Sequence, residues 1–369
     1  MADKTYRILV INPGSTSTKV GVFDGETEVF TKNVAHEASK LAEFASVPDQ
    51  MPYRRDLILE ALEENNVELD TIDAFVGRGG GLLSVEGGTY AVNDTLLDHA
   101  YRGANGIQHP AQLGSQLANA FATKAGKPAF VVNPPDTDEF CDFARMTGIK
   151  GIYRNSHLHA LNLKETAIRH AHSLGKRYDE CNFIVCHIGG GISISAHQAG
   201  KMIDGYDIVQ GEGTMAPTRC GAVPVAGILD FLEAGHSIKE ARAMCMKTGG
   251  FVDLLGTSDA LEVSNRAAAG DEAAARAWGA MLYQLNKYIG SMATVLGGKV
   301  DGILLGGGMV HNKDLVASIE ENCGWIAPVS AYPGEFELEA MAAGAIRVLD
   351  GEEEAKTYTG VPVFQGFED

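Results

Sequence analysis

The chain lacks the features that would direct it to a membrane, to the cell exterior or to nucleic acid. None of its apolar runs approaches the roughly 18 residues needed to cross a bilayer. The opening MADKTYR has no apolar segment of the kind a secretion signal carries. Its six cysteines, Cys141, Cys181, Cys186, Cys220, Cys245 and Cys323, contain no CxxC pair, so neither a zinc ligand set nor a disulfide framework is indicated. No long basic run offsets a formal net charge of -18, and that charge repels nucleic acid and anionic lipid at long range. These absences predict a cytoplasmic protein with free thiols and with neither a nucleic-acid nor a membrane partner. An acidic chain that binds an anion must gather its cations locally.

Two familiar nucleotide signatures are missing as well. A Walker loop needs GxxxxGK[ST] leading into a helix, and GK[ST] occurs nowhere in the chain. GEGTMA at Gly211 matches only the loose dinucleotide form, and Pro217 interrupts the helix that should follow it.

What is present is an α/β order repeated twice. A length of 369 residues predicts two domains, and no low-complexity linker separates them, so the boundary is placed near Gly151. In the first half RILVI and TKVGVF are followed by LILEALEENN, AFVG, QLGSQLANAFATKAG and PAFVV. The second half has a helix at 159–174, NFIVCHIGGGISISAHQAGKMID, a helical pattern at 271–290, then DGILL and a helix at 313–322. Both halves open with an apolar run, a turn of small residues and an alternating run. The pattern predicts two similar halves, each starting its sheet with a hairpin.

The turns carry the candidate chemistry. In NPGSTSTKVGVF, turn amides, hydroxyls, Asn12 and Lys19 supply donors and charge for phosphate, although hydroxyls in a hairpin also satisfy turn amides. The runs Gly189, Gly190, Gly191 and Gly306, Gly307, Gly308 let backbone approach a ligand. Arg78 in VGRGGG and Arg219 in TRCG sit amid glycines, where a guanidinium can grip a carboxylate or phosphate in bidentate fashion. His109 in QHPAQLG and the pair His157 and His159 in RNSHLHALN can donate to a phosphoryl oxygen.

Taken in order, NPGSTSTKVGVF, VGRGGGLL, GGTYAVN, HPAQLG, LHALN, HIGGGISISA, LLGGGMVH and YPGEFELEAMAAGAIRVLDGEEEAK resemble the acetate and butyrate kinase family over nearly the whole chain. The resemblance is nearer the butyrate branch. It lies within the larger sugar kinase, Hsp70 and actin superfamily. It implies two ribonuclease-H-like domains of the actin and hexokinase type flanking an active-site cleft. Residues 1–150 would form the acceptor and phosphate side, with the C-terminal helix at 338–369 packing back on it. Residues 151–337 would form the nucleotide-binding domain. The implied activity is reversible transfer of the γ-phosphoryl of ATP to butyrate by a carboxyl-acceptor phosphotransferase, with isobutyrate, propionate or acetate as alternative acceptors. Mg²⁺ and a homodimer or higher homo-oligomer are implied too. A non-catalytic nucleotide clamp of the Hsp70 or actin kind is the competing class.

The same resemblance assigns roles. Arg78 orients the acceptor carboxylate, Arg219 clamps the transferring phosphoryl, and His109 with His157 or His159 donates to its oxygens. Asn12, Ser15, Ser17 and Lys19 line a phosphate hairpin. Gly189–Gly191 admit the β-phosphate, and Gly306–Gly308 with Asp259 bound the adenosine pocket. Glu335 or Glu337 positions Mg²⁺ through water. The chain departs from the family where an aspartate is usual near the metal: VVNPPDTDE has Asn133, with Asp136 or Asp138 as the available replacements.

Overall fold

The computed structural model describes residues 4–367, and its contacts divide the chain into two compact units. One is built from residues up to Asp138 together with those from Phe336 onward, the other from Glu139–Glu335. The sequence boundary near Gly151 therefore differs from the observed division. Residues after Asp138 are tied into the second unit: Glu139 is ion-paired with Lys164 at 2.8 Å and accepts the Met202 amide at 2.8 Å. The Cys141 amide donates to the Ile203 carbonyl at 2.9 Å.

In the first unit β1 (Arg7–Pro13), β2 (Ser17–Asp24) and β3 (Thr27–Ala35) form an antiparallel meander. β4 (Ala74–Gly77) joins β1 in parallel, and β6 (Ala129–Val132) joins β4 in parallel. With β5 (Thr89–Ala91) and β12 (Lys356–Thr357) the seven strands run in the order β12-β5-β6-β4-β1-β2-β3. β4 is buried along its whole length whereas β3 alternates between exposed and half-buried residues. A central strand covered on both faces reads as a continuous apolar run, and an edge strand does not. Leu9, Ile11, Val20, Val22 and Phe75 pack with Ile58 and Leu62 of helix Met51–Glu64 and with Leu117 and Phe121 of helix Leu113–Ala125. Helix Glu337–Leu349 also packs on this sheet, where Leu338 meets Gly21 and Val132 meets Gly344.

The second unit repeats the plan. β7 (Asn182–Ile188), β8 (Ile192–Gln198) and β9 (Lys201–Asp204) form an antiparallel meander, and β10 (Gly302–Gly307) and β11 (Val329–Pro333) extend it in parallel, in the order β11-β10-β7-β8-β9. Helix Ala160–Ser173 covers one face through Leu163, Ala167 and Ala171. The helix Glu272–Val295 and helix Lys313–Cys323 cover the other. That long helix outruns the expected end at 290, because Met292, Ala293 and Leu296 continue the buried spacing set by Leu285 and Ile289. Among the described residues no helix is long and apolar enough to cross a membrane.

Candidate active site

In the first unit the β1–β2 turn is closed by the Gly14 amide donating to the Ser17 carbonyl at 2.7 Å. It forms one wall of a cavity of about 310 Å³ whose lining includes Asn12, Ser17, Lys19, Arg78, His109 and Glu337. Strand geometry explains the grouping. Asn12 and Lys19 are register partners at the end of the hairpin, and Arg78 directly follows β4, which is parallel to β1. Asn12 Nδ2 donates to Glu337 Oε2 at 2.7 Å, and Arg78 Nη2 lies 4.0 Å from Glu337 Oε1. Arg78 Nη1 is buried with no hydrogen-bond partner.

His109 caps the short 3₁₀ turn Pro110–Gln112, and its Nδ1 accepts the Ala111 amide at 3.1 Å. An accepting Nδ1 places the ring proton on Nε2. Burial, then the positive charges of Arg78 and Arg54, lower the pKa of this histidine. At neutral pH His109 is thus an uncharged ring with one N–H to offer.

Other first-unit candidates have different surroundings. Ser15 is exposed at the tip of the turn and does not line the cavity. Asn133 is 3% exposed with φ 37, and it exchanges bonds with Gly88: Oδ1 accepts the Gly88 amide at 2.7 Å and the Asn133 amide donates to the Gly88 carbonyl at 3.0 Å. This amide is engaged in holding a turn. Asp136 and Asp138 are also buried, and Asp136 Oδ1 accepts from Asn105 Nδ2 at 2.6 Å.

In the second unit the β7–β8 turn is Gly189–Gly191, with the Gly189 amide donating to the Gly191 carbonyl at 3.1 Å. A Cβ on Gly191 would lie 2.1 Å from Arg219 Nη1, so only glycine allows the guanidinium to rest against this turn. Thr218 Oγ1 donates to the Gly190 carbonyl at 3.3 Å. Arg219 Nε and Nη1 are buried without hydrogen-bond partners, and burial lowers the pKa of the guanidinium.

His157, His159 and His187 each have a partner within this unit. His157 Nδ1 is 2.6 Å from Asp207 Oδ2; an ionised carboxylate only accepts, so the proton is on Nδ1. His159 Nδ1 meets the Ser193 hydroxyl at 2.8 Å, and its ring stacks on His187 with centroids 4.0 Å apart. His187 Nε2 is 3.7 Å from Glu335 Oε1, and a Cβ on Gly189 would lie 3.4 Å from that same Nε2. His187 is not among the residues singled out from the sequence, although a histidine within an apolar run two residues before Gly189 was a usable signal.

The third glycine run lies at the end of β10. Gly307 has φ 97, and a Cβ there would come within 2.4 Å of the Ile188 carbonyl oxygen, next to the Gly189 turn. A Cβ on Gly308 would meet open space. Asp259 is an exposed helix cap whose Oδ1 accepts the Leu261 and Glu262 amides at 2.9 and 3.1 Å. Among the described residues no three His, Cys, Asp or Glu side chains gather to hold a metal.

The profile of the acetokinase family matches residues 150–323. A probable butyrate kinase of Clostridium botulinum (strain Alaska E43 / Type E3) is 44% identical over 355 residues, covering 96% of this chain and 100% of that protein. Crystal structures of Porphyromonas gingivalis acetate kinase and of a propionate kinase from Francisella tularensis superpose with TM-scores of 0.73 and 0.69, each at 19% identity. They cover 93% and 92% of this chain and 100% and 98% of their own. The fold is thus that of acetate and propionate kinases, and by its near full-length relatives the chain belongs to the acetokinase family.

Proposed function

We propose that this short-chain carboxylate kinase transfers the γ-phosphoryl of ATP to butyrate, giving butanoyl phosphate and ADP, and catalyses the reverse reaction. The observation that carries the reading is a pair of half-buried arginines with buried, unpaired N–H groups, Arg78 Nη1 and Arg219 Nε and Nη1. A buried donor left without a partner costs about 1–3 kcal/mol, more when charged, and an anionic ligand offsets that cost. The preference for butyrate rests on the name of the 44% identical relative.

Butyrate is ionised at neutral pH, so its oxygen attacks phosphorus without a general base. Transfer then depends on position and on charge placed around the phosphoryl oxygens. Arg78 binds the acceptor carboxylate. Arg219 binds the transferring group, and the uncharged His109 donates its Nε2–H to an oxygen. Asp207 holds His157 with its proton on Nδ1, and Ser193 orients His159. The glycine turn 189–191 lets backbone amides approach phosphate.

Mg²⁺ suits this donor set as an ion that arrives with the nucleotide, because it keeps several waters and needs only one or two carboxylates. Glu335 and Glu337 are the carboxylates beside the two sites, and the ion would supply charge neutralisation between phosphates. We also place the enzyme in the cytoplasm as a homodimer or higher homo-oligomer.

Each methylene buried contributes about 0.8 kcal/mol. The two that separate acetate from butyrate thus give roughly a 15-fold preference, and pocket shape must supply the rest. Rates with acetate, propionate, butyrate, isobutyrate and valerate, measured with ATP and Mg²⁺, test the assignment. Butyrate should show the highest kcat/KM. Slow ATP hydrolysis indifferent to every acid would instead identify a nucleotide clamp.

A further inference from the structure

Behind the β1–β2 turn lies a cation that the reaction described above does not use. Arg54, on helix Met51–Glu64, is 0% exposed. Its Nε and Nη2 donate to Gln50 Oε1 at 3.1 and 2.9 Å, and its Nη1 donates to Thr18 Oγ1 at 2.9 Å and to the Ser17 carbonyl at 3.3 Å. All these acceptors are neutral, and among the described residues no carboxylate pairs with Arg54.

The groups it holds belong to the cavity wall. The Ser17 carbonyl is the one that closes the turn by accepting the Gly14 amide, and Ser17 and Gly14 both line the cavity. His36 completes the support. Its amide donates to the Thr16 carbonyl at 2.8 Å, and its Nε2 lies 2.8 Å from Thr18 Oγ1. The Thr18 hydroxyl, which accepts from Arg54, thus bridges Arg54 and His36. Burial and Arg54 hold His36 neutral, with its pKa pushed down to about 4.

A clamp for a carbonyl and a hydroxyl needs no net charge. Burying a guanidinium among neutral groups is unfavourable unless an opposite charge comes close. The cavity wall already carries one carboxylate, Glu337, which accepts from Asn12, and an anion that enters the cavity would bring a further negative charge. The field of Arg54 reaches the cavity, since Arg54 is one of the two charges that depress His109.

We propose that Arg54 is a positioning residue of the anion site: it fixes Ser17 and Thr18 from behind the turn and leaves its positive charge to be balanced by the phosphoryl group bound in front of it. The proposal rests on the phosphoryl-transfer reading.

Two variants test it, Arg54→Gln, which keeps hydrogen bonding and removes charge, and Arg54→Lys, which keeps charge and loses the fork. Each is measured for kcat/KM toward ATP with saturating butyrate and for the titration of His109 by NMR in the full chain. For a preorganised charge of this kind Arg54→Gln should lower kcat/KM by about 10²-fold and raise the His109 titration point. Arg54→Lys should stay within about tenfold and leave that titration in place.

A folded Arg54→Gln with nearly unchanged kcat/KM and an unmoved His109 overturns the proposal, as does Arg54→Lys losing as much as Arg54→Gln. Should Arg54→Gln fail to fold, Arg54→Lys decides alone: retained activity with an unmoved His109 supports the proposal, and loss of about 10²-fold overturns it. A wild type inactive on every carboxylate would defeat the functional reading. The His109 titration and the binding of inorganic phosphate by Arg54→Gln would then still judge Arg54: a raised titration point with weakened phosphate binding supports it, and wild-type behaviour in both overturns it.

Discussion

The β1–β2 and β7–β8 hairpins share a plan and differ in what stands at the turn and behind it. Each starts a five-strand core of two antiparallel and two parallel pairings. At the first turn the donors are side chains, Ser17 and Lys19 beside Asn12. At the second the turn is glycine alone, and the side chain comes from elsewhere, with Arg219 resting on Gly191.

Behind the first hairpin the buried cation Arg54 has only neutral partners. In the second unit the buried cation Lys164 is neutralised by Glu139 at 2.8 Å. The contrast teaches that a shared backbone plan does not fix where charge is balanced. A buried charge with a partner has part of its desolvation cost offset within the fold, and one among neutral groups does not.

The largest effects should come from removing the charges at the two turns. Arg78→Ala and Arg219→Ala should each lower kcat/KM by about 10²-fold or more. Thermal unfolding should show little loss of stability, because each truncation also removes an unsatisfied buried donor. Folded variants with wild-type turnover would refute the site assignment.

The glycine turn gives the next effect. Gly191→Ala drives a Cβ into the Arg219 guanidinium, whereas a Cβ on Gly190 meets nothing within 4 Å. The first should cost on the order of 10-fold or more in kcat/KM by displacing a charge donor, and the second should change little. Equal losses would mean that Arg219 does not depend on this turn.

Acid stability probes what lies behind the hairpins. His36 in the first unit is depressed to about 4 by burial and Arg54. His197 in the second is depressed well below its ordinary value by burial and Lys164. A histidine held neutral in the folded state leaves the unfolded state binding more protons, so stability rises with pH in this window. The contribution of His36 is full above about pH 6.5 and is lost as pH falls toward about 4. Urea midpoints between pH 7.5 and 4.5 should fall on acidification, and fall less in His36→Gln. An identical slope in the variant would remove His36 from the account.

The smallest effect is expected at Asp259. Its cap on helix Ala260–Ala268 predicts that Asp259→Ala lowers stability by about 1 kcal/mol with KM for ATP unchanged. A marked rise in that KM would return Asp259 to the nucleotide site.

These cases show why parts of the site were legible and others were not. Arg78 and Arg219 could be chosen only through the motifs around them, since a single arginine in a glycine loop reads as readily as a surface residue. Asn12, Lys19 and His109 fell within recognisable turns, and all three line the cavity. Asp259 is a helix cap in the structure, and an aspartate that caps a helix and one that binds a ligand look alike in a string of letters. Asn133 drew attention as a substitution, but its bonds with Gly88 depend on a residue 45 positions away. Arg54 gave no signal, because helix Met51–Glu64 carries Arg54 and Arg55 side by side and only packing makes the first buried and the second half-exposed.

The sequence by itself determined the α/β order, the two hairpins and the glycine turns, because these follow from local spacing of apolar and small residues. It also carried the family, through motifs spread along the chain. The tertiary structure alone decided that the division falls at Asp138 rather than Gly151, which histidine nitrogen holds its proton, and which buried cation has a counter-charge. Each of these depends on distances between residues far apart in the chain, and burial then sets how strongly a nearby charge is felt.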